Sequence, residues 1–170
     1  MKILFIGDVV GRSGRHAVKQ LVPIIKETHK VDIVIANGEN SAGGAGLNVS
    51  TAQELFSAGA DVLTLGDHAW DQKDLASYIE KEPRIIRPAN YPPGAPGKGS
   101  VIINPRPDLP PIAVLNLQGR TFMRPMDNPF LVASEIVAEL AKTTPVIFVD
   151  FHAEATSEKI ALGHYLDGKV

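Results

Sequence analysis

The chain has 170 residues, 44% of them hydrophobic and 21% charged, with a formal charge of -2 and no cysteine. That length predicts a single domain, 1–170, large enough to bury a core unaided. The near-neutral balance gives no case for a dedicated nucleic-acid surface, and the missing thiols exclude cysteine nucleophiles, Fe–S clusters and Cys-type zinc sites.

Along the chain, short β-branched runs alternate with longer amphipathic stretches. The run at 3–6 predicts a strand; Gly7-Asp8 cuts it too short for a secretory h-region, and no later run approaches a membrane span. A soluble, cytoplasmic chain with no membrane partner is the expectation. A helix follows from Ser13 or Gly14 to about Thr28, with Ala17, Val18, Leu21, Val22 and Ile25 on one stripe and a kink expected at Pro23. Further strands are predicted at 33–36, 62–65, 85–86, 101–103, 112–117 and 146–151, whose near-continuous apolarity suits a sheet covered on both faces. Helices are predicted at 50–58 with Ser50 as N-cap, at 71–82, and at 128–142 with Pro129 in the first turn. His164 is expected two residues past a short helix, and the Pro- and Gly-rich stretch 88–99 reads as a hairpin-like excursion within the domain. The alternation predicts an α/β fold with a largely parallel sheet.

In open α/β sheets, ligands bind beyond the carboxyl ends of the strands. The first strand ends in Gly7-Asp8, the second in Asn37-Gly38-Glu39-Asn40, the third in Gly66-Asp67-His68, and the one at 146–151 in His152, followed by Glu154. Carboxylate, amide oxygen and imidazole together suit Mn²⁺, Fe²⁺ or Zn²⁺, with Mg²⁺ less favoured once imidazole is included. Each residue also has a plainer role: Asp8 beside a helix dipole, Asn37, Glu39 and Asn40 in turns, Asp67 as a cap. Their joint placement at several strand ends favours a metal site. Arg12, Arg15, Arg87, Arg120 and Arg124 read either as phosphate forks or as solvent-facing ion pairs, with Arg120 the substrate-binding candidate. Gly43-Gly44-Ala45-Gly46 lacks the GK[ST] of a P-loop and reads as a flexible loop carrying Glu39 and Asn40. Trp70 and Tyr91 either stack a base or pack beside the site.

Six blocks in order, from Gly7-Asp8-Val9-Val10-Gly11, Asn37-Gly38-Glu39-Asn40 and Gly66-Asp67-His68-Ala69-Trp70-Asp71 through Arg87-Pro88-Ala89-Asn90 and Asn116-Leu117-Gln118-Gly119-Arg120 to Asp150-Phe151-His152-Ala153-Glu154, resemble the YmdB-like metallophosphoesterases of the calcineurin-like superfamily. The resemblance implies a layered α/β sandwich and a phosphodiesterase acting on small phosphodiesters such as cyclic nucleotides. It implies two divalent metal ions (Fe, Mn, Zn or Mg) held by Asp8, Glu39, Asn40, Asp67 and His152, with Glu39 bridging both. It also makes His68 the group that protonates the leaving oxygen. The physics agrees, because two cations about 3.5–4 Å apart neutralise an anionic phosphodiester and clamp its attacking and leaving oxygens.

Two departures from the family pattern carry expectations of their own. Asp67 stands where the family has Asn, and the added charge is expected to weaken turnover. The family places two further imidazole ligands in a Gly-Thr-His-Thr-His-like block after one more strand, beyond Val170. The expectation is a domain missing its C-terminal strands and incomplete at that end, with an open sheet edge that invites association. The leading reading is a metal-dependent phosphodiesterase impaired by both departures. The alternatives are a non-catalytic phospholigand-binding or regulatory protein, and a subunit completed in trans by a complementing C-terminal chain. A homo-oligomer is the remaining candidate partnership.

Overall fold

A computed structural model describes residues Met1–Val170. The first sheet holds β1 (Ile3–Ile6), β2 (Ile33–Asn37), β3 (Val62–Thr64) and β4 (Ile85–Ile86), side by side in that order and all parallel. The second holds β5 (Ser100–Ile103), β6 (Ile112–Gln118) and β7 (Ile147–His152), with β5 antiparallel and β7 parallel to β6. The stretch 88–99 is the crossover from one sheet to the other. The mostly parallel α/β expectation holds, but its strands are divided between two sheets where the sequence suggests one.

The unbroken burial of β2, β3, β4 and β6 follows from their position between two covered faces, whereas Ile3 and Phe5 of β1 and Ile102 of β5 are exposed. Along β2, Ile33 and Ile35 point at the other sheet, joining Val62, Ile86, Ile112 and Val114 in a buried layer between the sheets. The alternate residues Val34 and Ala36 face outward to α1 (Gly11–His29) and α2 (Val49–Ser57). On the far side, Ala113, Leu115 and Leu117 of β6 pack against α4 (Pro129–Leu140) and α5 (Thr156–Leu166). The layers are therefore helix, sheet, sheet, helix. Burying each Ile, Leu or Val of the middle layer contributes roughly 1.5–3 kcal/mol.

Pro23 lies inside α1, which runs to His29. Three local expectations need correction. The N-cap of α2 is Asn48, two residues before Ser50: its side chain accepts from Thr51 N at 2.8 Å, and Thr51 Oγ1 accepts from Asn48 N at 3.1 Å. The third helix, α3 (Leu75–Ile79), is five residues long instead of spanning 71–82. Its expected first turn is taken up elsewhere, since Gln72 donates to Ala45 O at 2.7 Å and Asp74 accepts from Val49 N at 3.1 Å. Gly46, at φ +82°, backs onto this turn so closely that a Cβ there would lie 2.7 Å from Gln72 Cγ. Finally, His164 lies inside α5 rather than beyond a short helix, and it is exposed.

At one side of the sandwich, β1 and β7 are the edge strands of their sheets, and Phe5 packs against Phe148 with ring centroids 5.2 Å apart and planes tilted by 46°. No helix is long and apolar enough to cross a membrane.

Candidate metal centre

The parallel first sheet delivers the carboxyl ends of β1, β2 and β3 to one edge, and β7 of the second sheet ends beside them. Glu39, just past β2, is almost fully buried at 1% exposure, so its carboxylate needs partners. Its Oε1 lies 2.6 Å from His152 Nδ1, and its Oε2 accepts from the His68 amide at 3.2 Å. Asp67 Oδ1 lies 3.0 Å from the other ring nitrogen, His152 Nε2. The imidazole is thus held between two carboxylates. Burial opposes its charged form, but the hydrogen bonds and charges of Glu39 and Asp67 prevail and raise its pKa.

The ligand atoms of Glu39, Asp67 and His152 all lie within 4.8 Å of one another. Gly66 makes this approach possible: a Cβ there would sit 2.3 Å from Glu39 Oε2 and 2.5 Å from His152 Cγ. Two hard carboxylates and an imidazole converging over a residue without a side chain suit a divalent first-row cation.

Asp8 and Asn40, the latter next in sequence to Glu39, form a second pair. Asp8 takes φ +46°, which turns it out of β1, and Asn40 Nδ2 donates to its Oδ1 at 2.8 Å. Backbone hydrogen bonds from Val9 N to Asn37 O and from Gly11 N to Asn40 O, both 2.9 Å, fasten the turn after β1 to the end of β2. His68 points elsewhere, with Nδ1 2.6 Å from Asp71 Oδ2. That hydrogen bond is the main cause of its raised pKa; burial opposes the rise, and the charges of Asp67, Asp71 and Glu39 add to it. Asp71 is a partner that the sequence reading assigned only to a helix start. The signal was present in the three-residue spacing His68-x-x-Asp71.

The arginines divide. Arg15 pairs with Glu54 at 2.6 Å and donates to Ser41 O, while Arg87 donates to the carbonyls of Pro88 and Pro96, so both are tied into loops. Arg120 lines a separate groove with Thr121, Asn128 and Glu158, sharing no residue with the Glu39–Asp67–His152 cluster. Arg124 is exposed and lines a groove beside Tyr91. Glu154 is exposed past the end of β7.

Two buried polar groups underlie the site. Thr64 Oγ1 of β3 donates to Asp150 Oδ2 of β7 at 2.5 Å, joining the two sheets below the donors. Burial raises the Asp150 pKa, against hydrogen bonds from Thr64 and Asn37 that lower it. Gln118, in register with His152 at the end of β6, is fully buried, and neither of its amide atoms has a hydrogen-bond partner.

A two-sheet α/β sandwich with carboxylate and imidazole donors at its strand ends has the architecture of a metallophosphoesterase. Within that class the chain belongs to the YmdB-like family, whose model, described as YmdB-like protein, matches residues 4–170. It is 53% identical over 169 residues to the 2',3'-cyclic-nucleotide 2'-phosphodiesterase of Bacillus subtilis, covering 99% of this chain and 63% of that protein. Among solved structures it is similar to a hypothetical protein from Thermus thermophilus, with TM-score 0.91 and 43% identity over 99% of this chain and 64% of that one. A phosphatase from Mycoplasma pneumoniae matches with TM-score 0.91 and 36% identity over 100% of this chain and 61% of that one. The chain therefore spans about three fifths of the length of these relatives.

Proposed function

We propose that residues 1–170 form one domain of a metal-dependent phosphodiesterase that hydrolyses small phosphodiesters such as cyclic nucleotides. The observation that carries this reading is the convergence of Glu39, Asp67 and His152, from three chain segments and both sheets, within 4.8 Å. The similarity to the 2',3'-cyclic-nucleotide 2'-phosphodiesterase of Bacillus subtilis supports the choice of a cyclic nucleotide phosphodiester.

Asp8, Glu39, Asn40, Asp67 and His152 are the proposed ligands of two divalent cations, with Glu39 the one proposed to serve both. Such ions, when bound, neutralise the charge of the phosphodiester and acidify the attacking water. The protein's own part is to hold the donors and to deliver a proton. His68 is the proposed general acid: with Nδ1 engaged by Asp71 at 2.6 Å, its Nε2 is the nitrogen left to protonate the departing alkoxide oxygen. Asp71 fixes the ring and stabilises the imidazolium before transfer. Glu39, fully buried and bonded to the His68 amide, keeps the acid at a set distance from the donors.

Purified chain should retain metal after dialysis and hydrolyse bis(p-nitrophenyl) phosphate with added Mn²⁺. His68→Asn should lower kcat by about 10²–10⁴-fold with the metal content of the parent, whereas Glu39→Gln should lose metal. Absence of both bound metal and hydrolysis would overturn the reading.

A further inference from the structure

Beside the donor cluster lies a groove of about 580 Å³, within the usual ~300–1,000 Å³ of small-molecule sites. Its walls are unlike those of the acidic edge next to it. Trp70 and Tyr91 meet edge to face, with centroids 6.0 Å apart and planes at 84°. Pro92 and Pro93 stiffen one rim, Met126 adds a polarisable side chain, and Arg124 is the one charged residue in the lining. No carboxylate contributes to it.

One residue separates this groove from the donors. Tyr91 Oη donates to Gly66 O at 3.1 Å, and the other side of Gly66 is closed by Glu39 and His152. Trp70 follows His68 by two residues on the same turn. The Tyr91 phenol is pushed up to about 12, first by burial and then by the carboxylates of Asp67 and Glu39, with Arg124 opposing. It therefore remains protonated across physiological pH and keeps its bond to Gly66. The aromatic wall is thus joined through Gly66 to the segment that carries the donors.

We infer that the Trp70–Tyr91–Arg124 groove receives the nucleobase of a nucleotide substrate and so confers preference for nucleotides over other phosphodiesters. The inference rests on the phosphodiesterase reading of the adjacent donors. Every base has a π-face, so stacking on Trp or Tyr is tolerant of base identity. The Arg124 guanidinium adds a planar cation able to lie over a ring. The groove supplies affinity for a base without selecting strongly among bases, whereas an aliphatic substituent has no ring to present to it.

Trp70 is the chain's single tryptophan, so its fluorescence reports on the groove without metal or turnover. Titrating the 170-residue chain with adenosine in chelator should give saturable quenching, whereas ribose and inorganic phosphate should give none. Tyr91→Ala should weaken adenosine binding about tenfold. Ala76→Arg, at another residue of the groove's lining, should weaken it comparably while leaving the Tyr91–Gly66 bond in place. Both variants should also lower the kcat/KM ratio of 2',3'-cyclic AMP to methyl p-nitrophenyl phosphate. Unchanged Trp70 emission with adenosine, or equal quenching by ribose, would overturn the groove assignment even if bis(p-nitrophenyl) phosphate is hydrolysed. Adenosine quenching sensitive to both variants, in a chain that hydrolyses no phosphodiester, would keep the base site and discard the phosphodiesterase reading.

Discussion

Asp67 stands where the resemblance implies Asn, and its place suggests what that difference does. Its carboxylate lies 3.0 Å from His152 Nε2, on the far side of the ring from Glu39, so the imidazole is opposed by two negative charges where an amide would leave one. Asp67→Asn keeps an acceptor at the same place and removes the charge. Turnover of bis(p-nitrophenyl) phosphate should rise about threefold to tenfold at equal metal content, about 1 kcal/mol off the barrier. An unchanged or lower rate in metal-matched samples would refute this. A second residue-scale prediction concerns Gln118, whose buried amide has been taken out of water with no hydrogen bond in return. Gln118→Met, close in shape and without the polar atoms, should raise urea-measured stability by about 1 kcal/mol. Strand-end chemistry was legible in the sequence at this scale: Asp8, Glu39, Asn40, Asp67 and His152 all stand at or just beyond the carboxyl ends of strands. Their pairings were not. Nothing in local sequence says that the two nitrogens of His152 are divided between carboxylates 113 and 85 positions away.

Elements were easiest to read where burial dictates composition. The strands carry apolar side chains toward the other sheet and toward the helices alike, and their positions agree with the sequence within a residue or two. Helix limits were less legible because tertiary contacts set them. Residues 71–74 have acceptable helical pattern, yet Asp71 is claimed by His68, Gln72 by Ala45 and Asp74 by Val49. The cap of α2 was misplaced for a related reason: Asn48 and Ser50 are both good N-caps by type, and only the reciprocal bond to Thr51 selects between them. Asn48→Ala should therefore cost about 1 kcal/mol of stability, and Ser50→Ala only a few tenths. Equal losses on thermal denaturation would contradict the observed cap.

For the molecule as a whole, the division into two sheets is what the sequence concealed. A crossover through 88–99 is a run of Pro and Gly in which the change of sheet leaves no periodic mark. The two sheets meet over an apolar layer and over polar contacts that include Thr64 to Asp150, formed between residues 86 positions apart, and Leu65 N to Asn116 Oδ1. Thr64→Val preserves shape but leaves Asp150 short of a donor while nine-tenths hidden from water, and should cost about 1–3 kcal/mol on urea unfolding. A Thr64→Ser variant, which keeps the hydroxyl, should recover most of that loss. Failure of Ser to restore stability would assign the loss to packing instead.

The position of His152 on β7, facing Glu39 and Asp67 from the other sheet, has a thermodynamic consequence. An ion coordinated by all three would rivet the layers, so its binding energy would resist their separation as well as hold a substrate. At a hundredfold excess over Kd the linkage amounts to about 2.7 kcal/mol. Mn²⁺ should accordingly raise Tm by several degrees, EDTA should reverse the shift, and His152→Ala should abolish it. The same atoms that would hold a phosphodiester for attack would also make the chain's cohesion answer to the metal supply around it.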